Sequence, residues 1–181
     1  MNAVSCIQKS PLPTPISGES IFDAQFFLPY QAAVQTALEL LCDTRAKMPG
    51  AYAVRAITFR LKSPSSIRGK LFKKQLPPTA ACAGAVLQDI AGLRVVLDHT
   101  QSVYRFARLL RESSVCEFVE EQDYIARPKE SGYRSLHLIV RIPVYMQGQM
   151  YMVPAEIQLR TASMDVWANI EHELIYKPVR S

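Results

Sequence analysis

Two carboxylates in this chain stand in surroundings that suit chemistry, Asp89 and Glu156. Asp89 precedes Ile90-Ala91-Gly92-Leu93-Arg94-Val95, whose apolar end reads as a buried strand, and Glu156 lies inside the strand-like MYMVPAEIQLR of residues 150–160. Carboxylates on neighbouring strands can converge on one hard cation, and Mg²⁺ takes one or two carboxylates together with phosphate oxygens. That is the equipment of phosphoryl or nucleotidyl transfer. Each residue alone has a plainer reading, Asp89 as the cap of a strand entry and Glu156 as a partner of Arg160 on its own face. A third segment, Asp123 to His137, is dense in charge, aromatic rings and turn residues. With Gly132 beside Tyr133 it suits a ring stacked on a base with cations at its phosphates, or else an ordinary surface turn around a buried tyrosine.

Charge adds a direction. The formal net charge is +5, yet no acid occurs between Asp43 and Asp89, where Arg45, Lys47, Arg55, Arg60, Lys62, Arg68, Lys70, Lys73 and Lys74 all fall. Such a run favours a polyanionic partner, although a solvated basic helix face accounts for it equally well. Ser63-Pro64 is an N-cap followed by a first-turn proline, so Lys62 and Lys70 flank a predicted helix start whose free amides suit phosphate.

These residues need elements to hold them. Phe22, Phe26, Tyr30, Val34, Leu38 and Leu41 recur at helical spacing and predict a helix that ends at Met48-Pro49-Gly50, with Pro29 at its first turn or at a kink. A strand over 54–62, a short helix to about Lys74, a helical stretch over 79–87 and the strand after Asp89 follow. Val103, Phe106, Ala107 and Leu110 give another helical stripe, CEFVEEQDY an edge strand, and residues 135–145 and 150–160 a hairpin turning at Gln147-Gly148-Gln149. Pro143 and Pro154 point to an edge or a bulge there. From Thr161 to about Lys177, Met164, Trp167, Ile170 and Leu174 share one helical face. The order predicts an α/β or α+β domain, a mixed sheet of about five strands flanked by helices.

Composition narrows the class. At 181 residues and 49% apolar, the chain supports one core, so residues 21–181 are read as a single domain behind a Pro-rich, flexible arm over 1–20. No stretch approaches the roughly 18 apolar residues that span a bilayer, and Met1 to Thr14 has neither a charged leader nor an apolar region, so a soluble cytoplasmic protein is expected. Cys6, Cys42, Cys82 and Cys116 are scattered without a CxxC pair, which argues for reduced cysteines and against zinc.

Five stretches in order resemble the synthetase domain of RelA/SpoT-type alarmone synthetases: Arg60-Leu61-Lys62-Ser63-Pro64 with Ser66 and Lys70, Asp89 to Val95, Asp123 to His137, Glu156 to Thr161, and Met164-Asp165 through Trp167 to Glu171-His172. The resemblance spans roughly residues 52 to 177 and is to the small, single-domain members. It implies a nucleotidyltransferase-like fold and transfer of the β,γ-pyrophosphate of ATP to the 3′-hydroxyl of GDP or GTP, with release of AMP. It further implies adenine between Arg60 and Arg94, ATP phosphates at Lys62, Ser66 and Lys70, and Mg²⁺ on Asp89 and Glu156. Glu156 would also activate the acceptor hydroxyl. Tyr133 would stack on the acceptor guanine, with Lys129, Arg134, His137 and Gln158 lining the acceptor side and Asp165 compatible with guanine N1 and N2. Physical chemistry agrees: guanidinium planes sandwich a purine well, and a ribose hydroxyl needs a nearby base. His137 is a second candidate base, with an anchoring role at least as well supported by its place in a strand.

Two alternatives carry other expectations. A toxic relative would modify adenosine nucleotides or the 3′ CCA end of tRNA, which the basic run would suit. A non-catalytic RNA- or nucleotide-binding module is disfavoured by the carboxylates and phosphate-side lysines. Tetrameric relatives continue with further helix beyond the segment at 171–177, whereas this sequence stops at Ser181, which puts a tetramer in doubt.

Overall fold

A computed structural model describes residues 22–50 and 54–176, the side chains of 172–176 excepted. The expected arm over 1–20 lies outside these residues. The elements are α1 (Ala24–Ala46), β1 (Val54–Leu61), α2 (Pro64–Lys73), α3 (Ala80–Val86), β2 (Ala91–Leu97), α4 (Thr100–Arg111), β3 (Glu117–Asp123), β4 (Leu136–Met146), β5 (Gln149–Thr161) and α5 (Ala162–Tyr176). The five strands form one sheet in the order β1-β2-β5-β4-β3. All neighbours are antiparallel except β2 and β5, so the mixed α+β sheet expected from the sequence is the observed fold.

The alternation along the strands sorts the sheet into two faces. Leu93, Val95 and Leu97 of β2, Ile157 and Leu159 of β5, and Leu136, Leu138 and Val140 of β4 are buried. They form one core with Tyr30, Ala33, Ala37 and Leu41 of α1 and Val103, Phe106 and Leu110 of α4. Each fully buried leucine there contributes about 2 kcal/mol of apolar transfer. The opposite parity carries the polar set: Arg94 on β2, Glu156, Gln158 and Arg160 on β5, and His137 on β4. One face of the sheet makes the protein stable, and the other is left to carry a site.

Local signals explain the boundaries. Asp23 caps α1, its Oδ1 accepting from the Phe26 amide at 2.9 Å, and Ser63 caps α2. Pro29 does not lie at the first turn: α1 runs through it as the sixth residue, with the ring buried and the Gln25 carbonyl without its helical amide donor. The β4–β5 hairpin closes on Gln147 (φ 50°) and Gly148 (φ 77°), a two-residue turn with both φ positive. The hairpin outruns the sheet: β2 pairs with β5 only from Ala155 onward, and β3 reaches β4 only as far as Arg141. Pro143 and Pro154 therefore sit where each strand has one neighbour, the local edge their sequence implied. The last helix differs from expectation in part of its face: Trp167 and Ile170 are 47% and 43% exposed, Met164 packs against the core, Ala168 is the buried residue of α5 among those described, and the Leu174 side chain lies outside them.

Candidate functional site

The polar face gathers most of the expected residues. Asp89 ends the segment entering β2, and its Oδ2 accepts from both Lys62 Nζ and Lys70 Nζ at 2.8 Å. Lys62 is fixed where β1 ends, its amide donating to the Ile90 carbonyl at 2.8 Å, while Lys70 rises from the last turn of α2. Burial raises the Asp89 pKa, but the hydrogen bonds and charges of the two lysines outweigh it, so the carboxyl sits below its ordinary value. Its Oδ1 is buried and has no hydrogen-bond partner among the described residues.

Glu156 stands opposite. In the parallel β2–β5 register it pairs with Gly92, three residues past Asp89, close enough for the Asp89 charge to disfavour its ionisation. Burial also raises its pKa. The hydrogen-bond contacts with His137 and Gln158 more than offset both, and the Glu156 carboxyl is held low. Oε1 lies 3.0 Å from His137 Nδ1, and Oε2 accepts from Gln158 Nε2 at 2.6 Å. Two depressed carboxyls, one with a buried oxygen that nothing donates to, fit a hard divalent cation completed by phosphate oxygens. Among the described residues no cluster of three ligating side chains exists, so the protein alone would not form a closed metal cage.

Arg60 and Arg94 lie on this face two register positions apart, Arg60 opposite Gly92 and Arg94 opposite Thr58. A Cβ at Gly92 would touch Arg60 Cγ at 3.6 Å, so a longer side chain there would occupy the place where Arg60 rests. Arg60 is exposed; Arg94 is half-buried, with its Nη1 3.0 Å from Asp165 Oδ1. Ser66 is exposed at the start of α2, its amide and hydroxyl both turned to the Ser63 Oγ. This half of the face is thus a row of cations, with Lys62 and Lys70 on Asp89 and Arg94 on Asp165.

The Asp123–Ser135 segment is built differently. Asp123 Oδ1 accepts from the Ile125 and Ala126 amides at 2.9 and 3.0 Å, turning the chain out of β3. Gly132 adopts φ +81° beside the Trp167 indole, whose Nε1 donates to the Ser131 carbonyl at 3.2 Å. Tyr133 is not laid open. It is 8% exposed, its hydroxyl 2.8 Å from His137 Nε2, with Lys129 Nζ at 4.9 Å and Arg160 Cζ at 5.1 Å from the ring centroid. Burial pushes its phenol pKa up, against the pull of Arg160. Beside Lys129 a cleft of about 590 Å³ runs between Tyr124, Arg127 and Glu171.

Of the sequence-derived residues, the face brings together Asp89, Glu156, Lys62, Lys70, Arg60, Arg94, His137, Gln158, Tyr133 and Asp165. It leaves Arg134 exposed. Asp165 stands on the donor side, shared by Arg94 and Arg160, with its Oδ1 3.3 Å from Arg160 Nη1. Arg160, which the plainer reading of Glu156 took as its partner, instead donates to Tyr133, Gln158 and Asp165. It is 3% exposed, and its place in EIQLRT was the one available signal.

The chain is similar to known proteins in sequence and in fold. The family described as a region found in RelA/SpoT proteins matches residues 59–180. The GTP pyrophosphokinase YwaC of Bacillus subtilis is 34% identical over 145 residues, covering 80% of this chain and 69% of that protein. The GTP pyrophosphokinase YjbM of the same organism is 33% identical, over 84% of this chain and 72% of its own length. The crystal structure of the small alarmone synthetase 1 from Bacillus subtilis bound to its product pppGpp superposes with a TM-score of 0.77 at 33% identity, covering 87% of this chain and 81% of that one.

Proposed function

The chain belongs to the RelA/SpoT family, and we propose that its polar sheet face moves pyrophosphate from ATP to the 3′-hydroxyl of GDP or GTP. The observation that carries this reading is the pair Asp89 and Glu156, both with lowered pKa, with Lys62 and Lys70 on Asp89 and Arg60 and Arg94 on the same sheet face. A surplus of cations around two carboxylates suits a polyphosphate with its metal. The relatives named above are GTP pyrophosphokinases, so neither the tRNA-directed nor the non-catalytic alternative is favoured.

The roles follow from position. Arg60 and Arg94 clamp the adenine, and Lys62, Lys70 and the α2 amides near Ser66 take the phosphates. Asp89 and Glu156 would hold Mg²⁺, which when bound neutralises charge developing on the transferred phosphate oxygens. The acceptor O3′ attacks the β-phosphorus in line; the bond from that phosphorus to the α,β-bridging oxygen breaks, and the oxygen leaves with AMP. Glu156 takes the O3′ proton, its carboxylate aimed by His137 and Gln158. Tyr133 faces the acceptor base once Lys129 withdraws from its ring, with Lys129 and Arg134 then free for acceptor phosphates.

AMP release from ATP, measured in parallel with GDP, GTP, ADP, tRNA and no acceptor, tests the reading. Release sustained by the guanine nucleotides is expected. Release with tRNA or ADP alone would overturn the acceptor, and no acceptor-dependent release at all would overturn the activity.

A further inference from the structure

Five side chains on the polar face close a ring of hydrogen bonds: Glu156, His137, Tyr133, Arg160 and Gln158. We propose that Arg160 is a positioning residue whose guanidinium sets the direction of every bond in this ring and thereby aims both Glu156 and Tyr133.

The direction is set at Arg160. Its Nη2 can only donate, so the Tyr133 phenol oxygen 2.5 Å away accepts, and the phenol hydrogen turns to His137 Nε2 at 2.8 Å. A His137 that accepts at Nε2 carries its hydrogen on Nδ1, which donates to Glu156 Oε1 at 3.0 Å. Along the other arm Arg160 Nη2 donates to Gln158 Oε1 at 2.7 Å, which fixes the amide so that its Nε2 donates to Glu156 Oε2 at 2.6 Å. Both arms run from Arg160 to Glu156. A lysine has no planar fork to serve the two arms and Asp165 at once.

Burial makes the arrangement costly to disturb. Arg160 is 3% exposed, its charge answered by Asp165, and its Nε spends a further bond on Ser135 Oγ at 3.3 Å. The β4–β5 register creates the ring, since His137 pairs with Gln158, while Arg160 lies two residues beyond on the same face. Through Asp165, 3.0 Å from Arg94, the same guanidinium is tied to the donor-side arginine.

The catalytic half of this inference rests on the function proposed above; the hydrogen-bond half does not, and two measurements separate them. Nitrogen NMR of the histidine rings in mildly alkaline solution, with the signal assigned by its loss in His137→Gln, should show His137 as the Nδ1–H tautomer. An Nε2–H tautomer overturns the ring whether or not the protein turns over. In steady-state kinetics Arg160→Lys should lower kcat between about 10- and 100-fold, as expected for a misaimed base, with the ATP KM little changed. Combined with Tyr133→Phe, the loss should be smaller than the product of the single losses, because one arm is already cut. Multiplying losses, or wild-type kcat in Arg160→Lys, would show that Arg160 does not act through the ring. If Arg160→Lys does not fold, the cycle is run on Tyr133→Phe and Gln158→Leu, where losses that multiply again overturn the proposal. A wild-type protein without turnover but with the Nδ1–H tautomer would sink the function and leave the ring standing.

Discussion

The Asp89 and Tyr133 halves of this face are built in opposite ways. Around Asp89 the cations stand open: Lys70 is 39% exposed, Arg60 is open above Gly92, and among the described residues nothing donates to the buried Asp89 Oδ1. Around Tyr133 the groups are paired with one another, with the hydroxyl between His137 and Arg160 and the ring covered by Lys129. On the function proposed above, the first half is the donor side and meets the ATP phosphates with its cations already placed. The second is then the acceptor side and exchanges internal contacts for those of the acceptor, so its binding energy is a difference between two well-satisfied states.

Substitutions should separate the halves. The largest effect is expected at their junction: Glu156→Gln keeps the shape, loses charge and basicity, and should lower turnover by ~10²-fold or more while ATP binding survives. Asp89→Asn should cost about as much, but with the Mg²⁺ requirement moved to higher concentration, because it removes the donor-side ligand; an unchanged metal titration would break the assignment. Tyr133→Ala should raise the acceptor KM about 10-fold and leave that of ATP nearly unaltered; equal weakening of both would merge the halves. Trp167→Phe removes the bond to the Ser131 carbonyl, about 1 kcal/mol, and should raise the acceptor KM only a few-fold. Smallest is an acid effect on folding. Asp89 has a folded pKa below its unfolded one, so its contribution is present above about pH 4 and lost as pH falls through the folded value. Asp89→Asn should therefore flatten the acid limb of a stability curve, and an unchanged limb would deny the Lys62 and Lys70 pairing.

Legibility in the sequence followed the same division. The donor half was readable because its determinants are local: a strand, the Ser63-Pro64 cap, a lysine nearly two helical turns further and a carboxylate at the next strand entry. The strands were readable from apolar runs and the hairpin turn, and even the two hairpin prolines reported a local edge. The acceptor half depends on register. That Arg160 turns to Tyr133 and Gln158, away from Glu156 four residues earlier, follows only once β4 lies against β5 and the segment after β3 folds back. Periodicity placed α5 but not all that its face touches. Met164 packs against the core, whereas Trp167 serves the Ser131–Gly132 backbone, a partner that no spacing rule contains.

The most direct test of the whole account follows the label from γ-labelled ATP with GDP as acceptor, run with wild type and Glu156→Gln side by side. The account expects the label on a guanosine carrying a new 3′-pyrophosphate, one AMP formed for each, and almost none of either from the variant. Label appearing as inorganic phosphate, or equal product from the two proteins, would contradict it.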